Sequence, residues 1–373
     1  MIQNIMIFLL VVLVLVACAF FYARRKILTV EDKKHLKVEI DAEVTKMTKG
    51  DPKEAIMVGV YKQGTSYFKS EGRFSEDLYQ QPDQHSIFQI GSLSKLITVS
   101  VLHALIREGL VTMDSTLGEL MGDKYELSED AKSVTLHQLV THTSGFPRVP
   151  KVFIDKTVDQ FGKEDILKNP YSVLSFDDVI EYLKTSEGKK ESGYVEYSNF
   201  GTGLLGHVLE VVSGERLDCL AKDKICSALG MNMTSTELSD EMNESMVQGY
   251  DRNGDKADLW TFGALEGAGG FNSTAADMLT FLKHFLNQSS DSKNPLDADG
   301  GWMKAGKLEK FYGNKNVSWH NGMVGGFSSY AAIDPVDDIA IIILSAKATD
   351  LTMPGIMLMR LARTQSWATS NPS

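Results

Sequence analysis

The sequence predicts an α/β (α+β) sandwich, in which an antiparallel sheet built from both chain ends is flanked by helices and interrupted by a mostly helical insertion. A β-hairpin pattern falls early in the chain, three strand-like runs crowd its C-terminal end, and the long middle alternates helical stretches with Gly-rich or polar loops. A single N-terminal transmembrane helix is expected to precede this domain. The boundaries read as 1–26 for the membrane anchor and 27–373 for the folded domain, with the insertion over approximately 111–260.

The anchor comes first in the chain. Every residue from 5 to 22 is apolar or aromatic, and about eighteen such residues at ~1.5 Å each span roughly 27 Å, close to the hydrocarbon thickness of a bilayer. A cleaved signal peptide competes with this reading, but Met1-Ile2-Gln3-Asn4 carries no basic side chain. Leu15-Val16-Ala17-Cys18 has the form of a lipobox, a third possibility weakened by the apolar Ala19-Phe20-Phe21-Tyr22. Arg24-Arg25-Lys26 would hold the following side in the cytoplasm under the positive-inside rule, so orientation stays open.

The folded part follows. Residues 29–49 read as a charged helix, and residues 55–74 as two strands turning near Gln63-Gly64-Thr65. From 92 to 107 almost every residue is apolar or small, with Leu93, Ile97, Val101, Leu102 and Leu105 prominent, which suits a helix buried on most sides and ended by Gly109. Residues 203–212 form the clearest helix of the middle. Stretches 317–320, 328–333 and 339–345 read as successive strands, followed by a helix around 353–364.

Composition narrows the function classes. A chain of 373 residues that is 43% hydrophobic and 23% charged is ordinary for a globular protein, and a net charge of -11 leaves no basic field for nucleic acid. Cys18 lies in the apolar stretch, leaving Cys219 and Cys226 for the fold. On one helix these two would be roughly 10 Å apart at ~1.5 Å per residue, beyond the ~7 Å limit for a disulfide, so they read as unbridged small core residues. No Cys/His spacing suggests a metal site.

The chemistry is carried by three short motifs. Ser92-Leu93-Ser94-Lys95 is an S-x-x-K pattern, and three-residue spacing on a helix puts Ser92 and Lys95 on one face, within reach of each other. Ser94 would point away from Lys95. Gly91 allows close backbone approach, and the helix N-terminus offers N–H donors to a developing oxyanion. The spacing alone is weak, because Ser66/Lys69, Ser186/Lys189 and Ser290/Lys293 share it. Context separates them: the first pair falls in a predicted strand and the others in polar, loop-like stretches. Tyr197-Ser198-Asn199 presents a phenol and an amide at a loop-to-helix junction, a pattern repeated by Tyr312-Gly313-Asn314. His320-Asn321-Gly322 stands at the end of a short strand, where the glycine would let a substrate lie against the strand edge; Lys304-Ala305-Gly306 is its decoy.

Taken in order, these motifs resemble those of the serine β-lactamase and penicillin-binding protein superfamily: S-x-x-K, then a Tyr or Ser with Asn, then K-T-G or a variant. The likeness is greatest to class C β-lactamases, DD-peptidases and their esterase relatives, which have Y-x-N as the second motif. It covers approximately residues 50 to 365 and includes Phe88-Gln89-Ile90-Gly91 before the nucleophile, Leu139-Val140-Thr141-His142-Thr143-Ser144-Gly145-Phe146-Pro147, Leu229-Gly230-Met231 and Gly269-Gly270-Phe271-Asn272-Ser273-Thr274.

The resemblance implies that Ser92 attacks a carbonyl, Lys95 and Tyr197 relay its proton, and Asn199 orients Lys95 and the substrate amide. It implies an oxyanion hole from the N–H groups of Ser92 and Met323, with His320, Asn321 and Gly322 on the substrate side. His142 falls in a structural stretch of the family and is expected to pack. No cofactor and no metal are required, the substrate is a small molecule or peptide, and the catalytic domain is expected on the extracytoplasmic (periplasmic) side. Two departures stand out: His320 replaces the usual Lys, and Asn321 replaces a hydroxyl residue. They favour a peptide, amide or ester hydrolase (DD-peptidase, D-aminopeptidase or esterase-like), with a β-lactamase proper, or a penicillin-binding sensor that acylates without rapid turnover, as alternatives. A structural homologue independent of Ser92 is disfavoured by the intact motifs.

Overall fold

Gln63 and Gly64 turn the chain with φ of 48° and 85°. Two central residues at positive φ make the tight hairpin turn whose twist matches that of paired strands. It joins β1 (Ile56–Lys62) to β2 (Thr65–Glu71), with Lys62 opposite Thr65. The other edge of β1 pairs antiparallel with β8 (Ile339–Ser345), Ile56 facing Ser345, so the first and last strands of the chain are neighbours. With β5 (Met303–Lys304), β6 (Ser318–Met323) and β7 (Ser328–Asp334), the six-stranded sheet has the order β2-β1-β8-β7-β6-β5, and every pairing is antiparallel. The structure is a computed structural model describing residues 35–48, 53–163, 168–186, 194–288 and 301–367.

Both faces of the sheet are covered. β8 reads Ile-Ala-Ile-Ile-Ile-Leu-Ser and is buried at each position. Its period of two sends Ile339, Ile341 and Ile343 into one core, with Leu36, Ile40 and Val44 of α1 (Leu36–Met47) and Ile356 and Met359 of α5 (Thr352–Thr364). Ala340, Ile342 and Leu344 go into the other, with Met278, Phe281 and Leu282 of α4 (Ala275–Gln288). Each fully buried aliphatic side chain contributes on the order of 2 kcal/mol, so this central strand anchors both layers.

The helical part lies between β3 (Ile87–Gln89) and β4 (Asn272–Thr274), which pair as a separate two-stranded sheet. Its main helices are α2 (Ser94–Arg107) and α3 (Asn199–Ser213). Ser198 caps α3 by accepting from the Gly201 N–H, and Gly214 ends it at φ 78°. A Cβ at Gly203 would come within 2.8 Å of Leu265 Cα, so the glycine lets the segment that carries Ala268 lie against α3.

The expected transmembrane helix is corrected by the fold. No helix among the described residues is long and apolar enough to cross a membrane. The longest of them, α3, has 15 residues, roughly 22 Å at ~1.5 Å each against the ~30 Å of a hydrocarbon core. Residues 5–22 lie outside the described residues, and the single-pass anchor, the membrane contact through 5–22 and the periplasmic placement built on it are not carried further.

Smaller differences have local causes. The helix expected over 29–49 is seen from Leu36 to Met47, the rest falling outside the described residues. A 3-10 turn, Gly91–Leu93, precedes α2, and α3 begins at Asn199, four residues before the predicted start, because Ser198 supplies its cap. β6 does not stop at His320; Asn321, Gly322 and Met323 continue the ladder opposite Tyr330, Ser329 and Ser328. Both folded-part cysteines are free, but only Cys226 is buried, its thiol pushed up to about 12 mainly by desolvation, while Cys219 is exposed rather than a core residue.

Candidate active site

Ser92 sits in the 3-10 turn and Lys95 in the first turn of α2, so the three-residue spacing stacks them. Lys95 Nζ lies 3.2 Å from Ser92 Oγ, 3.0 Å from Asn199 Oδ1 and 2.6 Å from the Ala268 carbonyl oxygen. The side chain is buried, and no carboxylate is among its partners. Burial first, and the nearby Arg148 guanidinium second, hold the amine well below its ordinary pKa. A neutral amine has two N–H groups and one lone pair. Deprotonated, Lys95 would give its hydrogens to the two carbonyl oxygens and turn its lone pair toward the Ser92 hydroxyl.

Tyr197 is half-buried and stands beside Ser92 in the cavity wall. Burial raises its pKa and keeps it a phenol, able to donate a proton. Lys95 Nζ and the Arg148 guanidinium lie 5.0 and 5.1 Å from its ring centroid, and the His142 ring 4.7 Å. The loop before α3 is fixed from below. Arg148 O accepts from the Asn199 and Phe200 N–H groups at 3.0 and 3.1 Å, and Ser198 Oγ donates to Pro147 O at 2.7 Å. His142, at φ 58°, accepts from the Ser198 N–H through Nδ1 at 3.2 Å and from the Glu196 N–H through its carbonyl at 2.9 Å. Burial, then Lys95, push its pKa down to about 4, so it stays neutral and pins backbone.

Asn199 is buried at the start of α3. Its oxygen receives from Lys95 and its Nδ2 donates to Tyr171 Oη at 3.0 Å. His320 is also buried; its Nδ1–H donates to the Asn321 carbonyl at 2.7 Å, and burial followed by Lys95 pushes its pKa down to about 3. Position 320 therefore supplies no cation. Asn321 points the other way along the strand, its Nδ2 donating to Thr352 Oγ1 at 3.2 Å.

Two glycines bring the backbones of the turn and β6 together. A Cβ at Gly322 would lie 2.3 Å from Ile90 O and 2.8 Å from Ser92 N, and one at Gly91 would lie 2.9 Å from Met323 N. The backbone segments that carry the Ser92 and Met323 N–H groups are thus in close contact. Ser329 Oγ, donating to Ile90 O at 2.7 Å, holds the turn in place. In front of Ser92 is a cavity of about 420 Å³ whose wall includes Tyr197, Asn321, Gly322 and Met323. Lys95, Asn199 and His320 are buried and do not form part of that wall.

The decoys go elsewhere. Ser66 is exposed on β2 and Lys69 pairs with Glu71. Lys189 and the Ser290/Lys293 pair lie outside the described residues. Ser94 is buried and accepts from the Phe271 N–H at 3.0 Å. Lys304 lies on edge strand β5, 3.4 Å from Ser318 Oγ. Three contributors were not singled out from sequence: Tyr171, the Ala268 carbonyl and Arg148. Arg148 had a signal, a cation directly after the Leu139 to Pro147 stretch; Tyr171, in a part of the insertion without a motif, had none. Among the described residues no group of His, Cys, Asp and Glu is placed to hold a metal ion.

The family description "Beta-lactamase" matches residues 44–364. A D-alanyl-D-alanine-carboxypeptidase/endopeptidase, AmpH of Escherichia coli K12, is 26% identical over 318 residues, covering 75% of this chain and 76% of that one. Among solved structures, a β-lactamase/D-alanine carboxypeptidase from Pseudomonas syringae is 18% identical with a TM-score of 0.71, covering 88% of this chain and 98% of its own. A class C β-lactamase from Rhodobacter sphaeroides is 21% identical with a TM-score of 0.69, at 87% and 98% coverage.

Proposed function

We propose, for a chain that belongs to the β-lactamase family and is a serine hydrolase of that fold, that Ser92 is its nucleophile and that a peptide, amide or ester is its substrate. The observation that carries this reading is the buried Lys95 amine, 3.2 Å from Ser92 Oγ with its remaining contacts on two carbonyl oxygens.

The amine takes the Ser92 proton as Oγ bonds to the carbonyl carbon, and the oxyanion forms against the Ser92 and Met323 N–H groups. The carbon–leaving-group bond then breaks as Tyr197 passes a proton to the departing atom and regains one from Lys95. Water adds to the acyl-enzyme by the reverse relay: its oxygen bonds to carbon, the Ser92 ester bond breaks and Oγ recovers its proton. The domain used is the folded part after the N-terminal segment, with the pocket walls supplied in part by the helical insertion.

The neutral His320 and the amide of Asn321, already bonded to Thr352, favour a peptidase or esterase over an efficient β-lactamase. The carboxypeptidase/endopeptidase name of the Escherichia coli relative points the same way. The test incubates the protein and Ser92→Ala with a fluorescent penicillin and a chromogenic ester. Ester turnover lost in the mutant is the expected result. Full hydrolysis by Ser92→Ala would remove Ser92 from the mechanism, and stable penicillin labelling without ester turnover would make the protein a sensor.

A further inference from the structure

Arg148 is an exposed cation in the wall of the cavity that Ser92 opens into. Its guanidinium lies 5.1 Å from the Tyr197 ring centroid and forms no ion pair with any described residue. Its backbone is not loose, since its carbonyl oxygen accepts from the Asn199 and Phe200 N–H groups. The side chain therefore springs from a segment hydrogen-bonded to the start of α3, just after the phenol of Tyr197. The other charged residue of the wall, Asp350, stands elsewhere: its Oδ1 accepts from the Thr352 N–H at 2.9 Å, beside the Asn321 to Thr352 hydrogen bond. His320 adds no positive charge, being buried and neutral.

We propose that Arg148 is a specificity-determining residue that holds a carboxylate on the substrate's leaving group beside Tyr197, selecting anionic substrates over neutral isosteres. This rests on the Ser92 serine-hydrolase reading. The leaving-group side follows from Tyr197, because the atom that receives its proton is the one that departs, and Arg148 lies over that ring. A guanidinium keeps its charge throughout the working pH range and presents a planar fork that matches a carboxylate. Asp350 repels an anion placed toward α5, so the two walls give the cleft a polarity.

The test uses two aryl esters with one acyl group, the phenol leaving group bearing either a carboxylate or the corresponding carboxamide. The quantity read is the ratio of kcat/KM for the two esters, each variant normalised to the wild-type ratio, which cancels their intrinsic reactivities. Arg148→Gln is expected to lower the ratio about tenfold, the scale of one lost charge-assisted contact. Arg148→Lys should recover part of it, and about 0.5 M salt should compress the wild-type ratio. Arg148 also acts on Lys95, but that effect moves both esters alike and leaves the ratio untouched. An unchanged ratio in Arg148→Gln overturns the assignment while Ser92-dependent turnover stands. Turnover of both esters that survives Ser92→Ala overturns the serine-hydrolase reading instead.

Discussion

Two Tyr-x-Asn pairs in this chain share a spelling and almost nothing else. Tyr312 is fully buried; its hydroxyl meets the Tyr330 hydroxyl at 2.7 Å, and desolvation pushes its pKa up to about 12. Asn314 donates to Asp334 Oδ2 at 2.6 Å, and Asp334 also pairs with Arg363 at 3.3 Å. Every charge there has a partner of opposite sign. Around Tyr197 and Asn199 the amide instead turns its oxygen to a buried lysine that has no carboxylate. The network around Tyr312 is satisfied, whereas the Lys95 amine is stripped of water and counter-charge, the environment that the proposed base role needs. The contrast locates the chemistry in what Asn199 faces, and not in the motif.

The contrast breaks most visibly at Lys95. Lys95→Met keeps the length and apolar stem while removing the lone pair, and kcat/KM for a chromogenic ester should fall by at least ~10³ with the melting temperature held or raised. A variant retaining a tenth of the activity would mean that another base serves Ser92. Next come the two tyrosines. Tyr197→Phe should lose on the order of 10² in kcat with little change in stability. Tyr312→Phe should leave ester hydrolysis within about twofold but cost about 1 to 2 kcal/mol in urea unfolding, because the Tyr330 hydroxyl loses its buried partner. Equal activity losses in the two variants would erase the distinction.

The same burial should register as acid sensitivity. The pKa of His142 is pushed down to about 4 and that of His320 to about 3, both chiefly by desolvation. Above their unfolded value near 6.5 both states are neutral and the histidines contribute no pH dependence. As pH falls below it the unfolded chain takes up protons that the fold refuses. Stability should therefore drop by about 1.4 kcal/mol per pH unit for each histidine, down to pH 4 for His142 and pH 3 for His320. His142→Asn should flatten part of that slope in denaturant titrations between pH 6.5 and 4; an unaltered slope would assign the acid loss to other groups.

How legible each feature was in the sequence follows from the range of the forces behind it. β8 and α2 could be read because burial on all sides writes itself as uninterrupted apolar composition, and the β1–β2 hairpin because Gln63-Gly64 is turn chemistry. The reach of β6 through Asn321 and Gly322 could not, since polar residues and glycine hide a strand whose partners lie on β7. Within the site, Ser92 and Lys95 are set by local helical spacing and could be paired on paper. The Ala268 carbonyl on Lys95 is 173 positions distant and comes from backbone, which carries no residue signature. That His320 is neutral depends wholly on burial, a property of the assembled fold.

Tyr171 gives the finest test, because it acts through Asn199 alone. Asn199 could present either end of its amide to Lys95; an N–H facing the amine would compete for the lone pair that the proposed mechanism offers to Ser92. The Tyr171 hydroxyl, 3.0 Å from Nδ2, accepts from the nitrogen and so keeps the oxygen turned to Lys95. The ring is itself fixed, stacked on Phe262 at 5.0 Å and edge-on to Trp260 at 5.9 Å. Tyr171→Phe keeps that packing and deletes only the acceptor, so kcat should fall by about fivefold, the worth of one modest hydrogen bond, with KM nearly unchanged. The pH profile separates this positioning role from a packing one. With the amide free to turn, Lys95 loses an acceptor that favours its protonated form, and the limb on which activity rises with pH should move to lower pH. A fivefold loss with an unmoved limb would leave Tyr171 as a wall residue, and the orientation of Asn199 would then have to be set by Lys95 itself.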